Sequence, residues 1–219
     1  MGNVNIETTL ERQRDRRIIA THEWGHFLVD LDQERRRTHD NWEQMLDEVK
    51  TIKISLKANP RTNALGFVFH KQGVNLLKTK SDIEHDVRVL LGGMANEELF
   101  FGEDGTTNGA HNDITRVTQL LHHAVGEMGM YRKTRLNFGA LARDGKGDGR
   151  VMDEETRNIM EAQSERLYGE TMAVLARHKP LTEHLVGKLL AAGEMSLGEV
   201  LVEIRRFEKS RDGVTVVTA

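Results

Sequence analysis

Two histidines four residues apart, His22 and His26, flank Glu23 in a stretch where Ile18, Ile19 and Val29 recur with a helical period. This feature constrains the chain most. On a helix the spacing puts both imidazoles on one face, a turn apart. Thr8 followed by Glu11 resembles a capping box, so the sequence predicts a helix from about residue 9 to 36, with Trp24 and Phe27 packing its flanks. Imidazoles so placed can share a Zn²⁺, with Glu23 beside it as general base, which is the pattern of a metallopeptidase. The competing reading is a polar helix face that happens to carry two histidines.

The rest of the chain permits long helices. Only two prolines, Pro60 and Pro180, occur in 219 residues. There is no cysteine, so disulfides and thiolate sites are excluded and any metal must be held by His, Asp or Glu. Apolar residues make up 38% of the chain and mean hydropathy is -0.52, as for a polar, soluble chain of one large domain or two small ones. No run approaches the 18 or so apolar residues of a membrane span, and no hydrophobic signal region opens the chain. The expected location is cytoplasmic or a soluble organellar compartment. The 31 basic and 34 acidic residues nearly balance, for a net charge of -3. The basic run from Arg12 to Arg17 is broken by Asp15 and reads as a solvated helix face, so no nucleic-acid partner is expected.

Residues 37–47 form a polar segment with a short helix around Trp42 to Met45. Val49 to Leu56 and Ala64 to His70 read as strands, and the turn residues from Ala58 to Asn63 make them a hairpin with a long loop. Ser81 and Glu84 suggest a second capping box, with helix to about Phe100. Gly92 and Gly93 inside that helix cost stability, which implies close packing against another helix. After a glycine- and threonine-rich loop, Asn112 is expected to cap a helix running to about Met128, with Asp113 at its first position. Residues 129–151 read as irregular. Asp144 to Arg150 does not fit the spacing of a calcium loop. Further helices are predicted from Met152 to Lys179, ended by Pro180, then Thr182 to Ala192 and Ser196 to Phe207. The expected architecture is mostly α with a small β hairpin or sheet near the metal-site helix and a C-terminal helical bundle. Residues 1–130 would carry the site, 131–208 would pack against them, and 209–219 would form a tail.

Catalytic zinc usually takes three protein ligands and keeps one position for water. Residue chemistry leaves the third ligand open among His70, His85, Glu97, Glu98, His111, Asp113, His122 and His123. Asn112, Glu97 and Glu98 are candidates to orient the imidazoles from behind.

Several segments carry a resemblance. Thr21 to Asp30 resembles the active-site helix of the FtsH-type ATP-dependent zinc proteases. Ala64-Leu65-Gly66-Phe67 resembles their Ala-Leu-Gly strand, and Leu91 to Leu99 their Leu-Gly-Gly-Arg-Ala-Ala-Glu-Glu helix. Phe101-Gly102-Glu103, Thr106-Thr107 and Gly109 to Ile114 resemble the Thr-Thr-Gly-Ala-x-Asn-Asp-Leu segment, and Met128-Gly129-Met130 follows at a similar distance. The resemblance covers about residues 10 to 205. It implies an FtsH-like zincin peptidase domain with His22, His26 and Asp113 on zinc and Glu23 as the base. It also implies an endopeptidase acting on peptides or unfolded protein, in a homo-oligomeric ring, usually a hexamer, beneath an ATPase.

The chain departs from that pattern in several places. It contains no G-x-x-x-x-G-K-[ST] phosphate loop and no membrane span, so it is expected to be a stand-alone peptidase or part of something longer. The Met1-Gly2 start favours a natural short chain. An external unfoldase is then a candidate partner. Met94 replaces an arginine, Asn96 an alanine, and Trp24 and Phe27 are bulkier than the usual alanines. Residues 37–48 read as an insertion, and Thr107-Asn108-Gly109 is longer by one residue. The rival reading is a catalytically silent or highly selective interaction protein that modulates a larger protease. A fourth protein ligand such as His111 would mark it, whereas a purely structural site has no need of Glu23.

Overall fold

The computed structural model describes residues 6–39, 41, 44–45, 49, 51–56, 67–70, 77–133, 135–137 and 154–214. The helices are α1 (Ile6–Arg37), α2 (Lys80–Phe101), α3 (His111–His122), α4 (Glu154–Ala192) and α5 (Leu197–Val214). The strands are β1 (Thr51–Ser55), β2 (Phe67–His70) and β3 (Glu194–Ser196). The architecture is mostly α with one small sheet, as the sequence predicts.

Helix α1 is the axis of the fold because its faces divide the labour. Trp24, Phe27, Leu28 and Leu31 are fully or almost fully buried and join Ile54, Leu185, Leu189 and Ile204 in the larger core, between α1, the sheet, α4 and α5. Trp24 and Phe27 meet edge to face at 5.4 Å. A second core joins α2, α3 and the first half of α4 through Val87, Leu91, Val117, Leu121 and Leu167. The face of α1 that carries the histidines meets α2, which runs antiparallel to it. At their crossing Gly25 lies on Gly92, and a Cβ on Gly25 would come within 2.1 Å of the Gly92 carbonyl oxygen. Only two glycines allow this approach. Asn96 fastens the crossing by donating from Nδ2 to the Thr21 carbonyl at 2.6 Å.

The sheet order is β2-β1-β3, antiparallel throughout. β1 and β2 pair as the predicted hairpin, Ile54 opposite Val68, with an irregularity between Thr51 and Lys53. The third strand was not expected. Gly193, at φ 75°, ends α4 and turns the chain so that Glu194–Ser196 lies along β1. Ser196 then starts α5, exchanging hydrogen bonds with Glu199 as a capping box.

Several predicted boundaries move. Helix α2 is capped by Thr79 with Asp82, not Ser81 with Glu84, because the Thr79 hydroxyl accepts from the Asp82 N–H and Asp82 receives the Thr79 N–H. Asn112 does not cap α3. The helix starts at His111 from a short 3₁₀ turn, with Ala110 at the cap. Helix α1 begins at Ile6, which places Thr8 inside it. Pro180 does not end α4, which continues to Ala192. An internal proline costs about 3 kcal/mol, but Leu175 before it and Leu181, Leu185 and Leu189 after it are all buried, and that packing outweighs the lost hydrogen bond. Helix α5 extends past Phe207 to Val214, and Glu208 pairs with Arg35 at 2.7 Å. Gln44 and Met45 are helical, as predicted for that segment, whereas Trp42 and the Asp144–Arg150 segment lie outside the described residues.

Candidate metal centre

Three elements converge on one point. His22 and His26 come from the middle of α1, and Asp113 comes from the first turn of α3. The Nε2 atoms of the two histidines are 3.0 Å apart. Asp113 Oδ2 lies 3.3 Å from His22 Nε2 and 3.4 Å from His26 Nε2. A tetrahedral ion with bonds of about 2.0–2.1 Å has ligand–ligand edges of about 3.3 Å. The three observed separations therefore outline one face of such a tetrahedron.

The back of each imidazole decides what the front can do. His22 Nδ1 donates to Glu97 Oε1 at 2.7 Å, and His26 Nδ1 donates to the Val89 carbonyl at 2.7 Å. With Nδ1 protonated in each neutral ring, both Nε2 atoms present lone pairs. Two lone pairs and a carboxylate oxygen then face one another at 3.0–3.4 Å, an arrangement that calls for a cation. Without an ion, a proton on Nε2 supplies that positive charge instead. Burial disfavours the His22 imidazolium, yet the Asp113 and Glu97 carboxylates and the charge of Glu23 outweigh it and raise His22 to about 10. Burial likewise works against the Asp113 carboxylate, but hydrogen bonds from both histidines hold it well below the usual carboxylate range.

Glu23 is 7% exposed beside this cluster. Burial pushes its carboxyl upward, opposed by His26 and His22 and by a hydrogen bond from the Val68 backbone. A raised carboxylate suits proton abstraction near neutral pH. The Val68 contact also ties β2 to the site.

The second helix is shaped around His22. A Cβ on Gly93 would lie 2.4–2.7 Å from three atoms of its ring, so glycine is required for the imidazole to stand where it does. Glu97 follows one turn later and is 1% exposed. Its second oxygen accepts from the Thr107 N–H at 2.7 Å, which anchors the loop leading to Asp113.

Among the other residues considered as ligands, Glu98 accepts from Tyr168, His85 pairs with Asp30, and His123 pairs with Glu127. His122 lies 3.9 Å from Glu127, and His111 and Asn112 are exposed. The side chain of His70 is outside the described ones. Among the described residues the potential metal-holding group is His22, His26 and Asp113 alone, without a fourth protein ligand. Of the three residues expected to orient the imidazoles, Glu97 does so, whereas Glu98 meets Tyr168 and Asn112 is exposed. The usable signal for Glu97 was its i,i+4 relation to Gly93, which puts it on the face where α2 comes closest to another element. The pairing of Asp30 with His85 had no sequence signal.

No helix among the described residues is long and apolar enough to cross a membrane. A model of peptidase family M41 matches residues 9–201. The ATP-dependent zinc metalloprotease FtsH 1 of Alkaliphilus metalliredigens is 28% identical over 188 residues, 85% of this chain and 29% of that protein. The ATP-dependent zinc metalloprotease FtsH of Aquifex aeolicus is 37% identical over 121 residues, 55% of this chain and 17% of its own length. That of Lancefieldella parvula is 32% identical over 211 residues, 91% of this chain and 30% of its own length. The chain thus spans less than a third of these curated relatives. With the match running from α1 into α5 and enclosing every residue of the cluster, this chain belongs to peptidase family M41.

Proposed function

We propose that the chain is a zinc metalloendopeptidase in which His22, His26 and Asp113 hold the ion and Glu23 is the general base. The observation that carries this reading is the convergence of two Nε2 atoms and one carboxylate oxygen at 3.0–3.4 Å, with both Nδ1 atoms already committed elsewhere. The donor set, two neutral imidazoles and one carboxylate, suits zinc. A bound zinc ion supplies Lewis acidity, lowering the pKa of a water molecule and polarising a peptide carbonyl. Glu97 and the Val89 carbonyl hold the two imidazoles in the tautomer that presents Nε2. Glu23 takes a proton from the attacking water onto its carboxylate and delivers it to the departing amine.

The substrate is an extended polypeptide. Glu23, His22 and His26 are all under a tenth exposed, so a folded surface cannot reach them while a single strand can. Among the described residues β2 is an edge strand, and the Val68 N–H directed at Glu23 puts its outer edge toward the base. A substrate strand could lie along such an edge through main-chain hydrogen bonds. Residues 1–130 carry the site in this reading and 131–208 brace it. Ring assembly with further copies and delivery of unfolded chains by a partner unfoldase belong to the same proposal.

The test is hydrolysis of an unstructured fluorescent casein by zinc-loaded protein, chelated protein and Glu23→Gln with its zinc content checked. The expected result is zinc-dependent cleavage that falls about 10²–10⁴-fold in the variant while zinc stays bound. Equal cleavage by Glu23→Gln would remove Glu23 from the chemistry. No cleavage by folded, zinc-loaded protein would leave a binding protein in place of an autonomous enzyme.

A further inference from the structure

We propose that Asp30 and His85 are positioning residues for His26, and that their buried hydrogen bond sets α2 against α1 so that the Val89 carbonyl meets His26 Nδ1. This rests on the reading of His26 as a metal ligand.

The two histidines are oriented by different means. His22 leans on Glu97, a side chain that can follow it through its own torsions. His26 leans on a main-chain carbonyl of α2, whose place is set by where the whole helix sits. At the crossing Gly25 meets Gly92 backbone on backbone, and the side-chain tie there, Asn96 to the Thr21 carbonyl, lies two turns of α2 away from Val89. Asp30 follows His26 by one turn of α1, and His85 precedes Val89 by one turn of α2. Asp30 Oδ1 accepts from His85 Nε2 at 3.0 Å, making a second rung beside the 2.7 Å rung from His26 to Val89. Two rungs one turn apart fix both the sliding and the rotation of α2 on α1.

Stability does not explain this pair. Asp30 is 3% and His85 5% exposed, and among the described residues Asp30 Oδ2 and His85 Nδ1 are buried without a hydrogen-bond partner. Two apolar side chains would fill the same place without orphaned polar atoms, and such replacements are often neutral or stabilising. What they would lack is direction.

The test uses the full chain, with zinc affinity from chelator competition and the cobalt-substituted absorption spectrum as a readout of ligand geometry. Asp30→Leu with His85→Leu is expected to melt no lower than the parent in excess chelator, yet to bind zinc at least about tenfold more weakly with an altered cobalt spectrum. His85→Gln, which can keep a donor near the Nε2 position, is expected to stay within about threefold of the parent. Parent-like affinity and spectrum in the leucine pair would overturn the inference and leave the ligand reading intact. A parent protein that binds no zinc would overturn the ligand reading and this inference with it. If the leucine pair does not fold, His85→Met against His85→Gln gives the same contrast at similar volume, and equal affinities in those two would refute the role.

Discussion

Replacing Gly93 with alanine should separate metal binding from folding. The new methyl would sit 2.4 Å from His22 Cε1, 2.5 Å from Nε2 and 2.7 Å from Nδ1. Ordinary carbon contact starts near 3.5 Å, so the ring must retreat by about 1 Å. It has little room to do so, because Glu97 holds Nδ1 at 2.7 Å and His26 Nε2 stands 3.0 Å from its Nε2. Disturbing the support of a ligand typically weakens metal binding about 10–100-fold, or about 1.4–2.7 kcal/mol. The fold itself should lose little, since alanine in a helix interior is favoured over glycine by about 1 kcal/mol, which offsets part of the clash. Gly92→Ala is the control. Its methyl would meet the Gly25 carbonyl oxygen at 2.6 Å and carbon at 2.8 Å, main-chain atoms that cannot turn aside, so the two helices must part. Chelator competition gives the affinity, and thermal melting in excess chelator gives the stability. Gly93→Ala should melt close to the parent and bind zinc poorly, whereas Gly92→Ala should melt well below it. A folded Gly93→Ala protein with parent-like zinc affinity would refute the argument that His22 is held where it stands by the absence of a side chain on α2.

Glu97→Gln should retain the fold and lower zinc affinity about tenfold, because a neutral amide still accepts from His22 Nδ1 but supports the ligand less; calorimetric zinc titration reads this, and unchanged affinity would demote Glu97 to a loop anchor for Thr107. Since His22 is raised from 6.5 to about 10, the ion-free fold gains stability from its proton that is complete below about pH 6.5 and is lost as pH rises through about 10. Zinc must displace that proton, so loading at pH 8 should release about one proton from His22, seen as a dependence of the binding enthalpy on the ionisation enthalpy of the buffer. Loading without proton release at pH 8 would contradict the raised value.

The parts legible in the sequence were those with a local signal. His22, Glu23 and His26 announce themselves by spacing on one helix, and the Gly92-Gly93 pair announces a close approach by its cost to α2. Asp113 was different in kind. A carboxylate in the first turn of a helix looks the same whether it faces solvent or a cluster, and only the resemblance distinguished it from the seven other candidates. Glu97 and Glu98 are adjacent and carry identical composition, so helix phase alone separates the one behind His22 from the one beneath Tyr168. β3 has three residues, too few for alternation to register, and exists because Gly193 delivers it to the open edge of β1. Pro180 misled because its local penalty is visible in the sequence while the buried leucines on either side of it act through tertiary packing.

The departures from the family pattern fall on defined faces of α1. By the resemblance to the FtsH-type proteases, Trp24 and Phe27 stand where alanines are usual, and a bulky side chain there would be expected to crowd the cleft. Both are 0% exposed in the larger core, on the side of the helix away from Asp113 and α3, and they pack against each other. Their volume widens the contact of α1 with the sheet and α4 without entering the metal cluster. Asn96, where the same resemblance has an alanine, lies at the glycine crossing, and its amide ties α2 to the carbonyl preceding His22. Asp30 sits a turn beyond His26 and meets α2 at His85. Trp24, Phe27 and Asn96 thus act on how firmly α1 is gripped, apart from the donor atoms that face one another at 3.0–3.4 Å. A larger core on one face of α1 and directional hydrogen bonds on the other together hold its two imidazoles in place.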